Sequence, residues 1–246
     1  MAKRDKKKQG DPYELQVLYE DNHLIAVNKP GGWLVHSDAT GDKPLNEFVK
    51  DYIKKKYNKP GDVFLGTLHR LDRPVSGVVV FGRTSKAVTR MNQLFKDRAV
   101  EKKYRAVTVE RPDPEFGTLT HWIKKDGAKN RATALDRPSK RSKDAKKSVL
   151  DYRLLAQIGS LPLVEVTPHT GRPHQIRVQL AKIGAPIRCD VKYGAPDLHE
   201  DATIYLHAHS LHFIHPVTKE PLTITAPPPN DNVWREFKHL WQQNTL

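Results

Sequence analysis

The chain has 246 residues, enough for one large domain or two small ones with a sizeable core. Its 42 Lys and Arg outnumber 28 Asp and Glu, leaving a formal net charge of +14 that attracts polyanions, nucleic acid first and an anionic membrane surface second. No apolar run reaches the ~18 residues that span a bilayer, the basic start lacks the apolar core of a signal peptide, and a single cysteine, Cys189, excludes an internal disulfide or a cysteine-clustered zinc site. These features point to a cytoplasmic protein.

Residues 1–11 are charged and aperiodic, and are expected to form a disordered basic arm ahead of one domain over 12–246. Short β-rich runs follow at 16–19 and 24–28, with turns at 20–22 and 30–32. Leu45, Phe48, Val49, Tyr52 and Ile53 recur at helical spacing and predict a helix over 44–56. An apolar strand is expected over 78–81. A second helix over 85–97 carries Ala87, Val88, Met91, Leu94 and Phe95, with Thr84 or Ser85 as its cap. Strands are expected over 104–109, 149–155, 163–166 and about 204–213. The stretch 124–147 holds ten Lys or Arg against three Asp and almost no large apolar side chain, so it reads as a basic loop suited to phosphate contact. A helix begins near His174, with Ile176, Leu180 and Ile183 on one face, and ends at Gly184. Breaker-rich segments around Pro216–Pro221 and Pro227–Pro229 precede a C-terminal amphipathic helix marked by Val233, Trp234, Phe237, Leu240 and Trp241. The sum is one mixed α+β domain with many hairpin-like connections.

Four groups of residues bear chemistry. The first is Asp72, set between Arg70 and Arg73 in a segment running from Thr67 to Gly77. Neighbouring positive charge favours the carboxylate, which is then available as nucleophile or base; the competing reading is a solvated surface turn. The second is Tyr104 among Lys102, Lys103 and Arg105, a ring able to stack on a base and a hydroxyl able to hydrogen-bond. The third runs from His169 to Val178, where Thr170-Gly171-Arg172 ahead of a helix carrying His174 and Arg177 offers donors to phosphate or carboxylate. The fourth is His207, His209, His212 and His215; with no carboxylate or cysteine at ligand spacing, they read as a packed strand end and not as a metal site.

Taken together, His69-Arg70-Leu71-Asp72 with Ser76-Gly77, Lys103-Tyr104, Thr170-Gly171-Arg172-Pro173-His174-Gln175-Ile176-Arg177 and Leu206-His207-Ala208 resemble the RluA family of RNA pseudouridine synthases. The earlier Val27-Asn28-Lys29-Pro30-Gly31-Gly32 and the later Asp190 to Gly194 are similar in the same order. The resemblance runs from about Leu15 to Pro229 and is that of single-domain members, without an additional N-terminal RNA-binding domain. It implies a mixed, mostly antiparallel bisected sheet flanked by helices and loops. It implies isomerisation of uridine in ribosomal or transfer RNA, with no metal, redox cofactor or nucleotide, by a protein with no need to be more than a monomer.

The resemblance assigns Asp72 to glycosidic cleavage, Tyr104 to the uracil face and Arg177 to pairing with the aspartate. Arg70 resembles the side chain that fills the gap left by the extruded nucleotide, and His69, Arg73, Lys103, Arg172 and His174 are expected to contact RNA. Gly77 and Gly171 would allow close approach to a sugar or phosphate. Three positions depart from the family pattern. Val75 replaces a frequent Thr, Pro173 replaces a polar residue, and Cys189 stands where Gly is common, so no special backbone angle is expected there. Two other functions compete: a catalytically idle RNA-binding module on the same scaffold, and a metal-assisted nuclease using the histidines.

Overall fold

The structure is a computed structural model and describes residues 15–241 apart from 39, 129 and 139. The expected basic arm lies outside the described residues. Among the described residues eleven strands form one sheet: β1 (Val17–Glu20), β2 (Leu24–Lys29), β3 (Gly66–Thr67), β4 (Ser76–Gly82), β5 (Glu101–Val107), β6 (Phe116–Asp126), β7 (Arg131–Leu135), β8 (Lys146–Ile158), β9 (Leu161–Pro168), β10 (Leu206–Ile214) and β11 (Pro221–Thr225). The longest path across it is β1-β2-β4-β10-β5-β9-β8-β6-β7, with β3 on β4 and β11 on β10. Among the described strands only β4 and β10 pair in parallel, so the sheet is mixed and mostly antiparallel.

Strands β2 and β4 are apolar at successive positions because both faces of the sheet are covered there. Ile25, Val27, Val79 and Phe81 pack with Leu45, Val49 and Ile53 of α1 (Leu45–Lys56). Leu24, Ala26, Val78 and Val80 pack with Ala87 and Met91 of α2 (Ser85–Lys96), whose Ala87 N–H is capped by Thr84 Oγ1 at 3.2 Å. The third helix, α3 (Gln175–Lys182), buries polar side chains as well as apolar ones. Gln179 Nε2 donates to the Leu119 carbonyl (3.2 Å) and lies 3.0 Å from His121 Nδ1, which fixes α3 to β6.

Three expectations need correction. The stretch 124–147 is no loop: it contains the end of β6, all of β7, a single 3-10 turn at Lys140–Ser142 and the start of β8. Its buried side is built from Ala132, Ala134 and Ile123 against Val178 and Tyr193, residues too small or too sparse to register as a strand pattern. No strand was expected between the two breaker-rich segments, yet β11 begins on the last residue of the first, Pro221, where a missing N–H is tolerated. The single C-terminal helix is two short ones, α4 (Asn232–Glu236) and α5 (Lys238–Trp241), broken at Phe237.

Gly77 has φ +119°, and a Cβ there would lie 2.3 Å from the Ala208 carbonyl oxygen of β10. Its close approach is therefore to the neighbouring backbone and not to RNA. Only Gly lets β4 and β10 run side by side at this point. Gly77→Ala should destabilise the fold by about 2–4 kcal/mol, combining left-handed strain with a backbone clash. Urea midpoints would measure it, with Gly127→Ala, where a Cβ meets nothing within 4 Å, as the control.

Candidate active site

The parallel β4–β10 contact and the antiparallel β10–β5 contact bring the entrance to β4 beside Tyr104 on β5, and α3 closes the third side. Between them lies an open cavity of about 1110 Å³, lined by Asp72, Tyr104, Arg177, His174, Arg70 and Arg172 among others. Its lining also carries Lys96, Arg98 and Lys102 against one further carboxylate, Glu101, so positive charge predominates around Asp72.

Arg177 is the central cation. Its guanidinium is 6% exposed and its Nε and Nη2 donate to both oxygens of Asp190, at 2.7 and 2.8 Å. The remaining arm, Nη1, donates to Asp72 Oδ2 at 3.1 Å. Burial opposes the Arg177 charge, but the two carboxylates outweigh it and raise the guanidinium above its ordinary range. Asp190 thus fixes the plane of Arg177, and Arg177 fixes Asp72. Because Arg177 and the more distant His174 Nε2 (3.8 Å) both address Oδ2, the other carboxylate oxygen is left to face the cavity.

Asp190 is set in place by Cys189, which has φ +65°. The ordinary backbone angle expected at Cys189 is therefore wrong. A buried thiol side chain adopts the left-handed conformation, at a cost on the order of 1 kcal/mol.

The loop bearing Asp72 is held from below. Lys29 is buried, and its Nζ donates to the carbonyls of Pro30 (2.9 Å), Trp33 (2.8 Å) and Arg73 (3.1 Å). Burial pushes Lys29 down to about 7, while three acceptors matched to three N–H bonds and the nearby Asp72 favour the ammonium. Val75 is buried and its N–H donates to the Asp72 carbonyl at 3.0 Å.

The expected RNA contacts divide. Arg70 is exposed at the cavity, two residues before Asp72, and Arg172 is exposed across from it. His174 Nε2 lies 3.8 Å from Asp72 Oδ2. His69 lines the cavity, but its Nε2 accepts the Val80 N–H at 3.0 Å, which ties the Asp72 segment to β4. Arg73 points away and clamps the loop before α1 through Asp42 (2.6 Å) and the Gly32 carbonyl (2.9 Å). Lys103 also faces away, 3.6 Å from Glu101, because successive strand residues alternate. Lys102, on the same face as Tyr104, is the cation that enters the cavity, and burial lowers its ammonium. Gly171 is open to the cavity, with only Lys102 Nζ within 4 Å of a would-be Cβ.

Burial, reinforced by Asp72, raises the Tyr104 phenol far above its ordinary value, so it remains protonated and suits stacking or donation better than base chemistry. The Thr170-Gly171-Arg172 loop is pinned by Gln175. Its Oε1 accepts from Thr170 Oγ1 (2.8 Å) and the Arg172 N–H (3.0 Å), and its Nε2 donates to the Val149 carbonyl (3.0 Å). His207 and His209 lie in a packed layer with Trp234 and Trp241. Among the described residues no group of three His, Cys, Asp or Glu side chains could hold a metal ion, and no helix is long and apolar enough to cross a membrane.

The placements of Asp190, Lys29 and Lys102 were not legible in the sequence. One signal was available for Asp190: an arginine placed against a core needs a fixed carboxylate of its own before it can serve a reactive one.

A sequence model described as RNA pseudouridylate synthase matches residues 23–182. A "tRNA pseudouridine synthase C" of Vibrio cholerae is 35% identical, covering 94% of this chain and 98% of that protein. Its counterpart from Haemophilus influenzae is 34% identical over 86% of this chain and 92% of its own length. A "Ribosomal large subunit pseudouridine synthase C" of Buchnera aphidicola is 33% identical over 86% of this chain and 66% of that protein. Among solved structures, human RNA pseudouridylate synthase domain containing 4 superposes with a TM-score of 0.72 at 26% identity, covering 92% of this chain and 93% of that one. The chain belongs to the RNA pseudouridylate synthase family, of the RluA type, and is an isomerase of that class.

Three imidazoles near the site are neutral because of burial: His69 and His207 are pushed down to about 4, and His209 to about 3. His207 lies 2.9 Å from Ser76 Oγ and 3.1 Å from the Ala226 carbonyl, bridging β4 and the strand end after β11. An unfolded histidine titrates near 6.5, so between 6.5 and 4 the unfolded chain binds more protons than the folded one. Stability should be full above pH 6.5 and fall as pH drops toward 4, by a few kcal/mol overall. Urea midpoints from pH 8 to 4.5 would show the decline; a flat profile would mean that these imidazoles titrate in the fold as they do in the unfolded chain.

Proposed function

We propose that the protein isomerises a uridine of folded transfer RNA to pseudouridine, with Asp72, Tyr104 and Arg177 as the reacting constellation. The observation that carries this reading is the Asp190–Arg177–Asp72 chain of buried hydrogen bonds, which aims one free carboxylate oxygen into a basic cavity. A binding module with no chemistry has no use for a carboxylate held against its own anionic ligand.

The cavity of about 1110 Å³ exceeds the roughly 300–1,000 Å³ usual for small-molecule sites, as suits a nucleotide entering with its flanking phosphates. Extruding the target base costs about a few kcal/mol, which Arg70 offsets by occupying the vacated stack and Tyr104 by stacking on the uracil. Asp72 then acts at the ribose carbon. The bond from that carbon to uracil N1 breaks, the ring turns, and a bond to C5 forms while a proton leaves C5 and one is gained at N1. No atom is added and no net oxidation occurs, so the balance calls for no metal or redox cofactor. The neutral Tyr104 phenol is suited to donation, and Lys102, Arg172 and Arg70 to the phosphates. We read the protein as a cytoplasmic monomer.

Transfer RNA is placed first because this chain spans nearly the whole of a relative described as acting on it. Ribosomal RNA is the second reading, motivated by the Buchnera relative. Carbodiimide mapping of both RNA pools decides between them. Cells lacking the gene should lose one or a few sites, wild type should restore them, and Asp72→Ala should not. Sites that persist in all three strains would count against the activity, and sites restored by Asp72→Ala would count against the role of Asp72.

A second expectation separates two adjacent lysines. For RNA binding, Lys102→Gln should flatten the slope of log affinity against log salt by about 0.7, as for one phosphate contact on a single strand. Lys103→Gln should leave it unchanged. The reverse pattern would overturn the assignment made from strand alternation.

A further inference from the structure

Tyr193 joins the β6–β7 hairpin to the reacting carboxylate. Its Oη accepts the Ala132 N–H of β7 at 2.8 Å and lies 2.7 Å from His174 Nδ1. The next residue back, Lys192, reinforces the link, donating from Nζ to the Asn130 carbonyl in the hairpin turn at 3.0 Å. The Tyr193 ring lies between two guanidinium groups, Arg131 of β7 at 5.6 Å and Arg177 at 5.1 Å.

A phenol has one proton. With the Ala132 N–H already donating to the Tyr193 oxygen, that proton is free for His174 Nδ1, whose other ring nitrogen must then carry the imidazole hydrogen. That nitrogen, Nε2, is 3.8 Å from Asp72 Oδ2. The opposite tautomer would turn a lone pair toward the carboxylate. The backbone adds an independent sign: His174 has φ +55° and ψ +21° at the N-cap of α3, a position that is ordinarily extended. A left-handed histidine there costs free energy, and strain of this kind gathers at functional sites. The other charged groups facing the imidazole are Arg177, Lys192 and Asp190.

Resting on the pseudouridine-synthase reading, we infer that Tyr193 and His174 are positioning residues that transmit the seating of the β6–β7 hairpin to Asp72. The hairpin fixes the Tyr193 hydroxyl, the hydroxyl fixes the Nε2–H tautomer of His174, and the positive end of that N–H, 3.8 Å away, favours Asp72 Oδ2 in its place beside Arg177. Asp72 is thereby kept in one orientation with its second oxygen toward the substrate. An RNA that seats on this strongly basic hairpin meets an aligned carboxylate.

Two measurements on the full chain test this. Long-range proton–nitrogen NMR of the histidine rings, with the His174 signal assigned by its loss in His174→Asn, should report the Nε2–H tautomer in the wild type and loss of that preference in Tyr193→Phe. An Nδ1–H tautomer in the wild type would overturn the relay, whatever the activity. In kinetics on the mapped RNA, Tyr193→Phe keeps the ring between its two arginines and should lower kcat about ten- to hundredfold with KM within twofold. Adding Tyr193→Phe to His174→Asn should cost nothing further, as expected for groups acting as a unit. Unchanged kcat in Tyr193→Phe, or losses that simply add, would overturn the positioning role. A wild type that forms no pseudouridine in any RNA would instead overturn the proposed reaction, an outcome distinct from both.

Discussion

The arrangement depends on one buried guanidinium with three engaged nitrogens. Taking Arg177 out of water carries a penalty of several kcal/mol that a single partly exposed aspartate would not recover. Asp190, 1% exposed, supplies the bidentate partner that offsets it. With two nitrogens fixed, the guanidinium plane is fixed, and the direction of the third nitrogen toward Asp72 follows from geometry. The division of labour between the two aspartates is a matter of exposure. The one enclosed with Arg177 is spent on orientation, and the one 29% exposed at the cavity is available for chemistry.

The sheet topology explains why these groups meet. Asp72 and Arg177 are 105 residues apart, and the chain brings them together through β10, which is parallel to β4 and antiparallel to β5. The three strands set the Asp72 loop, Leu206 and Tyr104 around one opening. Gly77 is the local condition for that contact, since any side chain there would push β10 away. Lys29 supplies a second condition by gathering three carbonyls from the loops on either side of Asp72. Neither residue faces the cavity, yet both decide where the carboxylate sits.

Much of this was legible in the chain because apolar periodicity survives wherever an element has a large buried face. Strands β2 and β4 and helices α1 and α2 fall within a residue or two of their expected positions for that reason. The β6–β7 hairpin was not legible, since Ala132 and Ala134 provide its buried side and ten basic residues dominate the segment 124–147. For the site, the local motif around Asp72 and the Tyr104 and Arg177 positions pointed to a common cavity. What sequence spacing did not resolve was which neighbour points inward. Strand alternation sends Lys102 to the cavity and Lys103 to Glu101, and a turn sends Arg73 to Asp42. The left-handed angle at Cys189 was hidden for a different cause: the fold imposes it against the preference of the side chain.

Charge and shape act in sequence here. A net charge of +14 draws RNA in from a distance, but its screening length in cells is only about 8 Å, so it cannot select a nucleotide. Selection falls to the short-range donors at the cavity and to whatever surface the hairpin offers the folded RNA. A carboxylate in such positive surroundings would otherwise be drawn toward Arg70, Arg172 or Lys102, which line the same cavity. The contact from Arg177 to Oδ2, with His174 beside it, opposes that collapse by holding the carboxylate from behind. Those same cations then remain available to phosphate, and the cavity can be strongly attractive to RNA without neutralising the Asp72 carboxylate.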